Sequence, residues 1–153
     1  MVSDIRKADA RAAIERGIKY RDNEDYDRAI KEFTEAVKLD PDNADAYHCR
    51  AHIYLCSVTQ KMYEVAKLGP NDTDGKPVEI KFNVLETAIK DFNAAIRLDP
   101  KNPDVYVGRG SAYSALGKLD KAVKDYYEAL KLGLDEATEK GLRQLLATIG
   151  SKI

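Results

Sequence analysis

The sequence predicts an all-α fold: stacked antiparallel helical hairpins, with an elongated middle hairpin and a C-terminal capping helix. Three observations carry this expectation. Tyr20 and Tyr54 are 34 residues apart, as are Gly17 and Ala51, while Tyr54 to Tyr113 and Ala51 to Gly110 are both 59. Further along the unit the order reverses: Ala29 to Ala88, Phe33 to Phe92, Ala36 to Ala95 and Pro41 to Pro100 are each 59, then Ala88 to Ala122 and Phe92 to Tyr126 are 34. One insertion of 59 − 34 = 25 residues, between Tyr54 and Ala88, reconciles the two orders. A period of 34 residues is that of helical pairs which bury their open faces by stacking.

The first hairpin is expected from about Asp4 to Asn23 and from Tyr26 to Leu39, with Asn23 or Asp25 capping the second helix. Ala29, Phe33 and Ala36 fall on one stripe at helical spacing and meet the partner helix. Small residues at Gly17, Ala51 and Gly110 let the two helices of each pair come close, and the aromatics fill the space between hairpins. Leu39-Asp-Pro-Asp-Asn43 and Leu98-Asp-Pro-Lys-Asn102 end each hairpin, because Pro disfavours a helical residue before it and Asn caps the next helix.

In the middle unit Tyr47, Ala51, Tyr54, Val58, Met62 and Val65 extend one stripe far beyond the usual helix end, as far as Gly69-Pro70. Val78, Phe82, Leu85, Ile89, Phe92 and Ile96 form a returning stripe, so the insertion lengthens both arms by several turns and turns over between Gly69 and Pro77. Tyr63, Ile80 and Val84 lie off these stripes and are the candidate contact of the hairpin with a neighbouring unit, a second copy or a partner. The tip Asn71-Asp-Thr-Asp-Gly75 is an acidic turn; Pro70 and Lys81 stand where a calcium loop needs oxygen ligands, and no metal is assigned. Lys131-Leu-Gly-Leu134 breaks the last hairpin. Asp135 caps a final helix reaching about Thr148, with Leu134, Leu142, Leu145, Leu146 and Ile149 on its apolar side.

These recurring residues resemble the tetratricopeptide (TPR) pattern of aromatic, small residue, Tyr, then Ala, aromatic, Ala and Pro. Gly17, Tyr20, Ala29, Phe33, Ala36 and Pro41 match it first; Tyr47, Ala51, Tyr54, Ala88, Phe92, Ala95 and Pro100 second; Tyr106, Gly110, Tyr113, Ala122, Tyr126 and Ala129 third. Ala13 departs where an aromatic is usual, and Leu134 replaces the closing Pro. The resemblance implies a right-handed TPR superhelix forming one domain over 1–153, with repeats at about 10–43, 44–102 and 103–136, the insertion within 55–87, and a capping helix at about 135–149.

It also implies a concave groove along the first helix of each unit, holding a peptide or helix of a partner protein. By alignment that face carries Arg11, Ile14, Glu15, Ile18 and Arg21 in the first unit, His48, Cys49, His52 and Cys56 in the second, and Asp104, Val107, Gly108 and Ser111 in the third. Some members of the family clamp acidic chaperone tails with Lys, Asn and Arg. Here Ile14, Ile18, Cys49, Asp104 and Val107 stand at or near those positions, so such tails are not expected to bind. The alternative function is self-assembly, a homodimer formed through the elongated hairpin.

The only two His and only two Cys of the chain share one helix. From His48 to Cys56 is about 12 Å of axis, too long for one zinc to take all four side chains. His48 with His52, or His52 with Cys56, could supply two ligands, and the remainder would have to come from elsewhere. Cys49 and Cys56 are beyond disulfide reach. With no oxyanion loop, phosphate-cradling Gly motif or inward acidic pair, neither an enzyme nor a cofactor is expected. Twenty-five basic against 26 acidic side chains leave almost no net field, which disfavours nucleic acid and anionic membrane as partners. No apolar run reaches the roughly 20 residues of a membrane span, and Met1 to Arg11 is too charged for a secretory leader, so the expected location is cytoplasmic.

Overall fold

A computed structural model describes residues 2–68 and 82–150, with side chains over 3–63 and 83–150. Its helices are α1 (Val2–Asp22), α2 (Tyr26–Leu39), α3 (Ala44–Leu68), α4 (Phe82–Leu98), α5 (Pro103–Ala115), α6 (Leu119–Leu132) and α7 (Glu136–Gly150), and no strand occurs among the described residues. α1 packs on α2, α3 on α4 and α5 on α6; α1, α3 and α5 also touch one another in sequence and form the inner layer.

The caps follow the sequence closely. Asp25, not Asn23, accepts from the Arg28 amide at 3.2 Å, Asn43 from Ala46 at 3.1 Å, Asn102 from Asp104 at 3.0 Å and Asp135 from Thr138 at 3.0 Å. Each accepted bond satisfies an amide that the first helical turn leaves without a partner.

The aromatic of each second helix lies against a small residue of a first helix. A Cβ built on Gly17 would sit 2.7 Å from the Phe33 ring, and one on Gly110 would sit 2.5 Å from the Tyr126 ring. The glycines thus make room for rings, a more specific role than the close backbone approach expected from sequence. Phe33, Phe92 and Tyr126 are all buried, and Ile53 fills the space beside Phe33.

A second set of contacts pins the register. Arg50 donates to both carboxylate oxygens of Asp91 at 2.7 and 2.8 Å and reaches Thr34 of α2 at 3.4 Å. Arg109 repeats this with Asp125 at 2.8 and 2.7 Å and Asn93 of α4 at 2.6 Å. Each arginine therefore joins the helices of its own hairpin and holds the second helix of the preceding one. In the first hairpin Arg16 meets Glu32 at 2.8 Å, more openly. Bidentate pairing suits the planar guanidinium, and Tyr47 and Tyr106 lie beneath Arg50 and Arg109 with ring centroids 5.8 and 5.6 Å away.

Over the described residues both helices of the middle hairpin are longer than their counterparts in the third. α3 has 25 residues against 13 in α5, so it runs 25 − 13 = 12 residues further, about 18 Å of helix. α4, at 17 residues against 14 in α6, gains 17 − 14 = 3. Val58 is buried, but Met62, expected on the packed stripe, is 48% exposed. The tip from Gly69 to Pro77, with Val78 and Ile80, lies outside the described residues. α7 covers α6 with Leu142 and Ile149 buried and Leu134 and Leu146 half-buried, while Leu145 faces outward at 39% exposure. No described helix is long and apolar enough to cross a membrane.

Candidate functional site

The inner layer encloses a hollow of about 350 Å³ between α1, α3 and α5. The repeat places the first helices side by side, and residues of α3 and α5 that do not pack inward on α4 and α6 form its walls. His48, Cys49 and His52 line it from α3, Asp104, Val107, Gly108 and Ser111 from α5, and Arg21 from the end of α1. Phe33 and Leu55 complete it. Gly108 keeps the floor open: a Cβ there would sit 2.6 Å from the Phe92 ring, and the His48 ring also lies near Phe92, with centroids 6.2 Å apart.

The remaining sequence candidates divide. Ile14 and Ile18 are half-buried and pack around Phe33, and Arg11 and Glu15 are exposed outside the hollow. Cys56 lines an adjoining hollow of about 640 Å³, together with Tyr63. Val84 lines another of about 660 Å³ beside Tyr54 and Lys61, so the proposed hairpin contacts Tyr63 and Val84 face different spaces. The arginine–aspartate pairs were missed from sequence, although the same intervals mark them: Arg16, Arg50 and Arg109 are 34 and 59 apart, and Glu32, Asp91 and Asp125 are 59 and 34 apart.

The charged side chains at the hollow are Arg21 and Asp104, and its histidines and cysteines add no charge at neutral pH. Burial lowers the His48 pKa, with Asp104 and Asp45 opposing it, and burial together with His48 and Arg21 lowers that of His52. Both rings are therefore neutral at pH 7. Burial pushes the Cys49 thiol up to about 11 and raises that of Cys56, which contacts His52 Nδ1 at 3.5 Å. Protonated thiols are poor nucleophiles and poor metal ligands. Among the described residues no group of three or more His, Cys, Asp or Glu could hold a metal ion.

Comparison with known proteins gives a consistent result. A family model described as TPR repeat matches residues 17–55 and 83–117, and one described as tetratricopeptide repeat matches 103–133. The break at 56–82 falls on the insertion. The Arabidopsis thaliana "TPR repeat-containing thioredoxin TDX" is 29% identical over 88% of this chain and 29% of its own length. The Saccharomyces cerevisiae "Small glutamine-rich tetratricopeptide repeat-containing protein 2" is 32% identical over 87% of this chain and 31% of its own. The chain thus spans less than a third of these relatives. Among solved structures, the first TPR domain of human RPAP3 is 30% identical, with a TM-score of 0.66 and coverage of 95% of this chain and 98% of that one. The first TPR of Spaghetti (RPAP3), bound to the HSP90 peptide SRMEEVD, is 25% identical with a TM-score of 0.71, covering 95% and 94%. The second TPR domain of human RPAP3, in complex with the HSP70 peptide SGPTIEEVD, is 26% identical with a TM-score of 0.67, covering 97% and 98%.

These neighbours correct the expectation that acidic chaperone tails do not bind. Domains similar over nearly the whole chain carry such peptides. The five positions on which that expectation rested leave out Arg21, which lies at the wall of the hollow with two histidines.

Proposed function

We propose that this chain, which belongs to the tetratricopeptide repeat family, is an interaction module that holds an extended peptide of a partner protein in the groove of its inner layer. The observation that carries the reading is the hollow itself. It is shared by three successive first helices, is floored by apolar groups and Gly108, and has Arg21 at one wall and Asp104 at another. The solved neighbours support it, since two of them hold peptides.

The groove chemistry favours a ligand with an apolar side chain for the floor and a carboxylate beside Arg21, which shares the guanidinium with Asp22, already bonded to it at 2.9 and 2.8 Å. Fluorescence anisotropy with SRMEEVD and SGPTIEEVD, and with dodecapeptides selected from a random phage library on the immobilised chain, tests this. We expect saturable binding by at least one of these peptides, weakened ten-fold or more by His52→Glu. Failure of every peptide to bind, or equal binding by His52→Glu, would overturn it.

A further inference from the structure

We infer that the elongated α3 adds a second, uncharged subsite to the groove, which takes another apolar side chain of the same peptide; this rests on the peptide-binding reading above. Two observations lead there. First, the hollow of about 640 Å³ beyond the end of the regular repeat shares Leu55 and Ser111 with the hollow of about 350 Å³ at the histidines, so the two adjoin. Second, its far wall is built from residues that exist as helix only because α3 runs past the usual end: Thr59 and Gln60, then Tyr63, facing Tyr26 of α2 and Ala115 of α5. A hairpin of ordinary length would lack this wall, and the depression it borders is shallow and open on its outer side.

The chemistry of the two hollows differs in a way that selects the occupant. Arg21 and Asp104 line the first, whereas no Asp, Glu, Lys or Arg lines the second. An uncharged hollow beside a charged one suits an apolar side chain following a polar or acidic one, because desolvating a charge there would go uncompensated. A second copy of the chain is the competing occupant, which the light-scattering arm of the test below distinguishes.

The spacing follows from the helix. The first hollow is lined by α3 between His48 and Leu55 and the second between Leu55 and Tyr63, so their centres are about 11 Å apart at about 1.5 Å per residue. Three residues of extended chain cover about 9–10 Å, and in a polyproline-like backbone positions i and i+3 point to the same side. The ligand class is therefore an extended peptide with two apolar side chains three positions apart.

The test uses dodecapeptides selected by phage display on the full chain, and measures the best of them by anisotropy against Thr59→Glu, Ala115→Glu and His52→Glu. Thr59 and Ala115 are exposed, so both substitutions leave the fold intact, which far-UV circular dichroism checks. Selected peptides should share the apolar pair. Thr59→Glu and Ala115→Glu should weaken them ten-fold or more, and that loss should vanish when the second apolar residue of the peptide is Ala. If both variants bind like wild type while His52→Glu does not, the second subsite is wrong and the groove reading stands. If no peptide binds, both fall. A dimer in light scattering that Ala115→Glu dissociates would give the hollow to a second copy and overturn the subsite.

Discussion

Replacing Asp91 by Ala removes the carboxylate that Arg50 engages with two hydrogen bonds, at 2.7 and 2.8 Å. The two side chains are 16% and 8% exposed, so the guanidinium left behind is largely desolvated and keeps only the 3.4 Å bond to Thr34. Removing one partner of a buried pair costs about 3–5 kcal/mol, and the residual access of Arg50 to water places this case near 3. Arg16 and Glu32 hold the equivalent position in the first hairpin, but at 52% and 24% exposure. An exposed pair contributes about 0–1 kcal/mol, so Glu32→Ala should cost about 0.5. Urea unfolding followed by circular dichroism converts these figures directly. With a slope of about 2 kcal/mol/M, the midpoint should fall by about 1.5 M for Asp91→Ala and by about 0.25 M for Glu32→Ala. The double variant Arg50→Met with Asp91→Leu should return to within about 1 kcal/mol of wild type, since no charge is then stranded. Equal shifts for Asp91→Ala and Glu32→Ala, or a double variant as unstable as the single one, would refute the reasoning.

Two more outcomes are expected from local geometry and charge. Glu24 has a φ of 58°, and Gly117, 34 + 59 = 93 residues later in the same turn of the third hairpin, has 71°. Glu24→Gly should therefore raise stability by up to about 1 kcal/mol in the same unfolding assay, because glycine reaches this region without a Cβ penalty. His48 and His52 both have folded pKa values below the ordinary 6.5. The unfolded chain then binds protons more readily, so their contribution is present above about pH 6.5 and is lost as pH falls through the folded values. The urea midpoint should decline between pH 7 and 5.5. His48→Gln with His52→Gln should flatten that decline, as these are the only histidines.

Much of the architecture was legible because the repeat is written in residue identity. The 34 and 59 intervals located the described hairpins and the buried aromatics Phe33, Phe92 and Tyr126, and the Pro-Asp-Asn and Pro-Lys-Asn turns located the caps at Asn43 and Asn102. Periodicity alone did not fix burial at Met62, which continues the apolar stripe yet is 48% exposed, because burial depends on what packs against a helix and not on spacing within it. The site was half legible for a related reason. Helical geometry put His48, Cys49 and His52 on one face, but whether Ile14 and Ile18 line a groove or shoulder the core depends on the Phe33 ring, a contact between helices that one helix does not encode. Arg50 and Arg109 recur at the same spacing as the apolar positions, but a charged residue on a helix reads as solvated until its buried carboxylate partner is placed beside it.

Amide chemical-shift mapping of the labelled chain, titrated with the best phage-selected dodecapeptide, tests the groove most directly. The account predicts that the largest shifts fall on Cys49, His52, Val107 and Ser111, extend to Thr59 and Ala115, and spare α7. Shifts concentrated on α7 or on the outward faces of α2, α4 and α6, with the inner layer unmoved, would contradict it.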